Sequence, residues 1–149
     1  DLWLCVAGGI PGTWRKLAGP AAAGALHVLP VPVRVYDSRS GTTPAVGLKT
    51  PFTGGEVRTL NCTVNSSGVP ADAIAVQVTC LIVNAVAGNA NFTVWAGGAS
   101  KPAANSLVWG GDSGRASTLA VCALGSGAKI QVSPSVAADV VVDVVGYYR

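Results

Sequence analysis

Hydrophobic and polar positions alternate at period two along most of this chain, and the alternation is clearest in Ala71–Val86. There Ile74, Val76, Val78, Cys80 and Ile82 fall on one face of a strand, and Ala75, Gln77, Thr79, Leu81 and Val83 on the other. The second face is nearly as apolar as the first. That pattern predicts a long strand in the middle of a sheet, covered on both sides at least toward its end. Further strands are predicted at Val33–Tyr36, Glu56–Val64, Asn91–Ala96, Ser106–Trp109, Ala116–Leu124, Lys129–Ser133 and Ala138–Tyr148, separated by turns rich in Gly, Asn and Ser. In the last of these, Val140, Val142 and Val144 share one face, with Asp139, Asp143 and Tyr147 on the other, and this Val-rich strand is placed beside Ala71–Val86. With helix confined to a turn or two, the fold expected is all-β, a β-sandwich or jelly-roll-like single domain.

Residues 1–30 read differently. Leu2, Leu4 and Val6 alternate with Trp3 and Cys5, GGIPG forms a turn, and Thr13–Leu17 makes a second short strand. A hairpin of that size is marginal alone and must dock on a larger body or a partner chain. Gly19–Pro32, rich in Ala, Gly and Pro, reads as a linker arm with a short strand around Leu26–Leu29. The expected division is therefore a hairpin and arm over 1–30 and a sandwich domain over 31–149.

Composition sharpens this picture in three ways. Charged residues are only 11% of 149, against about 25% in an ordinary soluble domain, and Gly is abundant at 19. A rigid, weakly charged all-β domain suits a surface shared with copies of itself, so a homo-oligomer is expected. The formal charge of +3 comes from scattered Lys and Arg that never form a run, which argues against nucleic-acid binding. No apolar run reaches the ~18–20 residues of a membrane span. The chain lacks both a starting Met and a signal peptide, as expected of a piece of something longer.

Cys5, Cys62, Cys80 and Cys122 show no C-x-x-C pairing and accompany one His, a spacing unsuited to zinc. They read either as buried small hydrophobes or as disulfide partners, and Cys62–Cys80 is the favoured pair because their strands are consecutive and both face inward. The stretch Gly110-Gly111-Asp112-Ser113-Gly114 resembles the nucleophile motif of chymotrypsin-like proteases, with His27 and Asp37 in matching order. However, the contexts of His27 and Gly114 depart from that family, and Asp-Ser-Gly is an ordinary turn. Asp139 and Asp143 stand about 13 Å apart along one strand face, beyond either glycosidase geometry. No enzyme is expected, and no cofactor. Three N-x-[ST] sequons, at Asn61, Asn65 and Asn91, read as chance matches in Thr- and Asn-rich strands. Arg34, Asp37 and Arg39 form the most coherent polar group: Arg and carboxylate pair bidentately, so a salt-bridge network locking a strand to its turn is expected, with ligand contact as the other reading. Trp95, Trp109 and Tyr147 are candidate ligand or interface aromatics.

Four segments, PVRVYDSR at Pro32–Arg39, GVPADAIAVQVTC, NFTVWAGGASKPAANSLVW and ADVVVDVVGYY, together resemble a β-rich domain of actinobacterial exported proteins and of tail-fibre and surface proteins of their phages. The likeness covers about Val31–Tyr148, and DLWLCVAGGIPGTWRKLAG is similar to short segments that precede terminal domains in phage tail fibres. The resemblance supplies no catalytic residues. It implies a structural or adhesive role on a virion or cell surface, outside the cell, with a homotrimer as the expected assembly, host cell-surface glycan as a candidate contact, and Gly41–Gly55 and Gly97–Ala104 as the presented loops. The alternative expectation is an exported bacterial module, monomeric, that binds cell-wall carbohydrate.

Overall fold

The computed structural model describes residues 1–18, 24–111 and 114–149. Ten strands are found among them: β1 (Leu2–Ala7), β2 (Thr13–Ala18), β3 (Leu26–Asp37), β4 (Arg58–Asn61), β5 (Ala75–Val83), β6 (Ala90–Ala96), β7 (Leu107–Trp109), β8 (Ala116–Ala123), β9 (Lys129–Pro134) and β10 (Asp139–Tyr148). The all-β expectation holds.

Strands β3 to β10 form one long antiparallel ribbon that is rolled up. β3 pairs with β10, β4 with β9, β5 with β8 and β6 with β7. Rolling then brings β10 against β5 and β9 against β6, giving two sheets ordered β3-β10-β5-β8 and β4-β9-β6-β7. This is the strand order of a jelly roll. The two inner faces meet in a single core of Val76, Val78, Cys80, Ile82, Val140, Val142 and Val144 from one sheet and Leu60, Phe92, Val94, Ile130 and Val132 from the other. β5 lies inside its sheet, flanked by β10 and β8, so its central place and its neighbour are as the hydrophobic pattern indicates. Its outer face is half-buried from Ala75 to Leu81 and becomes buried at Val83.

Three local departures have physical causes. β10 carries one extra residue: Val144 opposes Val78 but Gly146 opposes Gln77, so Val145 bulges out. A bulge moves every later side chain to the opposite face. Tyr147 therefore opposes Val76 and packs on the core, not beside Asp139 and Asp143 as strict alternation places it. β3 starts at Leu26, so the strand runs through the boundary drawn at residue 30. Its partners jump from Val33 to Val28 between Val144 and Gly146, which leaves Leu29–Pro32 out of the ladder, where Pro30 and Pro32 have no N–H to offer. The strand expected over Glu56–Val64 shortens to Arg58–Asn61 because Asn61 Oδ1 accepts the Thr63 N–H at 2.8 Å, turning the chain immediately after it.

Candidate functional site

The ionic group lies where β3 leaves its sheet. Register sets Arg34 opposite Asp143, and the guanidinium grips that carboxylate twice, Nε to Oδ1 at 2.8 Å and Nη2 to Oδ2 at 3.2 Å. Arg39, two residues past Asp37 in the turn, does the same to Asp37, with Nε to Oδ1 at 3.0 Å and Nη2 to Oδ2 at 2.7 Å, and its own backbone N–H adds a third bond. Arg34 Nη1 reaches Asp37 Oδ2 at 3.4 Å and joins the two pairs. Burial pushes the Asp37 carboxyl up, but the bonds and charges of Arg39 and Arg34 outweigh it and hold the group below the usual range. Asp139 is engaged separately: it accepts from Ser38 Oγ at 2.7 Å and Asn84 Nδ2 at 2.9 Å. The structure thus brings Arg34, Asp37 and Arg39 together and adds a fourth member, Asp143, whose arginine partner only the β3–β10 register identifies.

A second anchor was not singled out in the sequence. Arg58 is buried, on the same strand face as Leu60, and its planar fork fills the mouth of the 41–55 loop. It donates to Glu56 Oε1 at 2.6 Å, Tyr36 Oη at 2.9 Å, and the carbonyls of Thr50 at 2.7 Å and Pro51 at 2.9 Å, and it stacks 3.9 Å from the Phe52 ring centroid. Tyr36 Oη in turn donates to Leu48 O at 2.6 Å, and Lys49 Nζ donates to Asp37 O at 2.7 Å. The loop is therefore tied down along its length. The available signal was parity: Arg58 shares its alternation with Leu60 and Cys62, so a charge was due in the core.

Two of the three candidate aromatics are not available to a ligand. Trp95 is buried under the Gly97–Ala104 loop, with its indole N–H donated to Ala99 O at 2.9 Å, while Lys101 Nζ reaches over to Ser133 Oγ at 3.0 Å. That loop lies on its own sheet and does not stand free. Trp109 is buried in the core. Tyr147 is half-buried and stacks on the exposed His27, with centroids 5.0 Å apart. Asp37 has both oxygens occupied by arginines and does not orient His27; Asp112 and Ser113 lie outside the described residues.

The expected Cys62–Cys80 bridge is absent, and all four cysteines are free thiols. Cys62 sits past the end of β4 in one sheet's chain, whereas Cys80 is in β5 of the other sheet, so the two are not cross-strand neighbours. Burial pushes the Cys62 and Cys80 thiols up to about 12 and Cys122 to about 11. Among the described residues, no group of three or more His, Cys, Asp or Glu is arranged to hold a metal ion.

What remains as a site is the β1–β2 hairpin. Trp3 pairs with Lys16 and Cys5 with Trp14, which gives one aromatic face; Leu2 and Leu4 alternate onto the other. Trp3 is 50% exposed, Trp14 59%, and Leu2, Leu4, Val6 and Ile10 are exposed as well. Within the hairpin Lys16 Nζ meets Asp1 Oδ2 at 2.9 Å and lies 5.7 Å from the Trp3 ring. A two-stranded ribbon with apolar residues out on both faces cannot form a core by itself. No protein-family model matches this chain, and no characterised protein aligns with it well enough to lend it a role.

Proposed function

We propose that this chain is a non-catalytic structural and adhesive module of a phage tail fibre or related virion surface protein, assembling with copies of itself as a trimer and contacting the host surface. The observation that carries the self-assembly part is the hairpin, whose apolar side chains are exposed on both faces. The virion and host parts rest on the resemblance of the four sequence segments. A jelly roll hosts many functions, so the fold itself favours none of them. The 41–55 loop suits a contact role because Arg58, Tyr36 and Lys49 preorganise it while Leu48 stays exposed at its tip. A monomeric carbohydrate-binding module draws less support, since Trp95 and Trp109 cannot offer a ring to a sugar.

The test is binding of fluorescently labelled protein to intact actinobacterial cells. Saturable binding that weakens at least several-fold in Leu48→Lys is expected. No saturable binding to any of a panel of such cells, with the protein folded, overturns the adhesive reading; binding of a monomer to purified cell-wall polysaccharide supports the alternative instead.

A further inference from the structure

The two sheets have four edge strands, and three of them are defended against further pairing. β3 contains Pro30 and Pro32 and a broken register. β4 has four residues and β7 has three. β8 has none of these protections: its eight residues, ASTLAVCA, include no proline and no charge, and it pairs with β5 in unbroken register from Ala75↔Ala123 to Ile82↔Ala116. Natural edges are blunted by prolines, charges, bulges or shortness, and a long, flat, uncharged edge is a template for another strand. β8 also turns Leu119 and Val121, 58% and 59% exposed, to the outer face.

The hairpin supplies a matching strand. Among the described residues only β2 pairs with β1, LWLCVA, six residues without charge or proline; that register shifts at Leu2/Trp3 and at Cys5/Ala7, so Trp3–Cys5 is the regular span on offer. We propose that β1 of one copy adds to the β8 edge of a second copy, extending its sheet to β3-β10-β5-β8-β1-β2. This rests on the self-assembly reading above and specifies its interface. It accounts for the hairpin's apolarity on both faces. In the extended sheet one face of the hairpin continues the Leu119 and Val121 surface, and the other covers the sandwich edge, where β8 lies against β7 and Val108 is exposed. Only the side chains on the covered face are buried, about half of the hairpin's exposed large residues at roughly 100 Å² each, so that face contributes about 300 Å² toward the ~800 Å² per partner of an ordinary stable interface and the paired strand edges supply the rest.

The occupant is a second copy for a geometric reason. The arm enters the sandwich at β3, the edge opposite β8. For its own β1 and β2 to take that place, Ala18 at the end of β2 must stand five strand spacings from β3, about 24 Å at ~4.8 Å per strand. The seven steps from Ala18 to Ala25 reach at most about 25 Å, which leaves almost no margin for that path. Donation to a neighbour removes that distance constraint, and a head-to-tail contact of this type closes into a ring where the rotation between copies divides a full turn.

Hydrogen exchange by mass spectrometry on the full chain tests this. At high concentration the amides of β8 are expected to exchange at least about tenfold more slowly than after dilution, and Val121→Lys or Leu4→Lys, both at exposed positions, abolishes the difference while circular dichroism stays unchanged. Protection of β8 that does not depend on concentration indicates the chain's own hairpin and overturns the proposal. A concentration-dependent oligomer whose β8 stays unprotected overturns this interface but leaves self-assembly standing; a monomer at all concentrations overturns both.

Discussion

Replacing Arg58 with Met removes the guanidinium that holds the 41–55 loop, while keeping an unbranched apolar stem along the same strand face. The change deletes four bonds of 2.6–2.9 Å, to Glu56, Tyr36, Thr50 and Pro51, and the stacking on Phe52. Removing one partner of a buried ion pair typically costs 3–5 kcal/mol. The penalty is partly relieved here, because Glu56 is only partly buried and Thr50 and Pro51 are exposed, so water can reclaim those acceptors. Tyr36 keeps its bond to Leu48 O. The expected loss is about 2–4 kcal/mol, a large share of the 5–15 kcal/mol that stabilises a typical domain. At roughly 4 °C per kcal/mol for a chain of this size, Tm falls by about 8–16 °C. Arg58→Lys keeps the charge but loses the fork, and should recover only part of this. Urea unfolding followed by tryptophan fluorescence measures it, with the m-value unchanged. A loss below about 0.5 kcal/mol for Arg58→Met refutes the view that this residue anchors the loop.

Other outcomes follow from the same contacts. At pH 8 one thiol of four, the exposed Cys5, should react with a thiol reagent, and the other three only after unfolding, since they are buried and groups titrating near 12 and near 11 hold about one part in ten thousand and one part in a thousand as thiolate; two reactive thiols missing after unfolding without reductant would contradict the free-thiol state. Arg58 hydrogen bonds hold the Glu56 carboxyl below its ordinary value, and Asp37 is lowered as well, so both contribute stability that is full above the unfolded carboxylate range, near pH 4, and is lost as pH falls through their lower folded values. Acid titration of unfolding should show stability declining below about pH 4.5, less steeply in Asp37→Asn; an unchanged slope in that variant counts against the network. Gly125→Ala drives a Cβ into the Gly97 carbonyl oxygen, a backbone atom that cannot swing away, and should cost about 1–3 kcal/mol or more by thermal unfolding; a neutral result rules out that close approach.

The fold was legible where alternation was long and uninterrupted. β5 and β10 announce themselves through Val76–Ile82 and Val140–Val144, and two apolar strands of that length must sit inside a sheet. What alternation cannot carry is an inserted residue: nothing in Val144-Val145-Gly146 marks which Val bulges, and that single step decides whether Tyr147 faces water or the core. Trp95 was misread for a different reason. Its burial comes from the Gly97–Ala104 loop folding back over its own sheet, a tertiary event with no local signature. The Arg34–Asp37–Arg39 group could be read because its members are close in sequence, whereas Asp143 and Arg58 enter through contacts that sequence distance or core burial concealed. The hairpin stood out in the chain for the property it keeps in the fold, apolar residues on both faces with no core to join.

The claim that this chain assembles with copies of itself is tested most directly by light scattering of the intact protein eluting from a sizing column at micromolar concentration. The account predicts a mass three times that of the 14.8 kDa chain. A single species of 14.8 kDa that persists at higher concentration contradicts it.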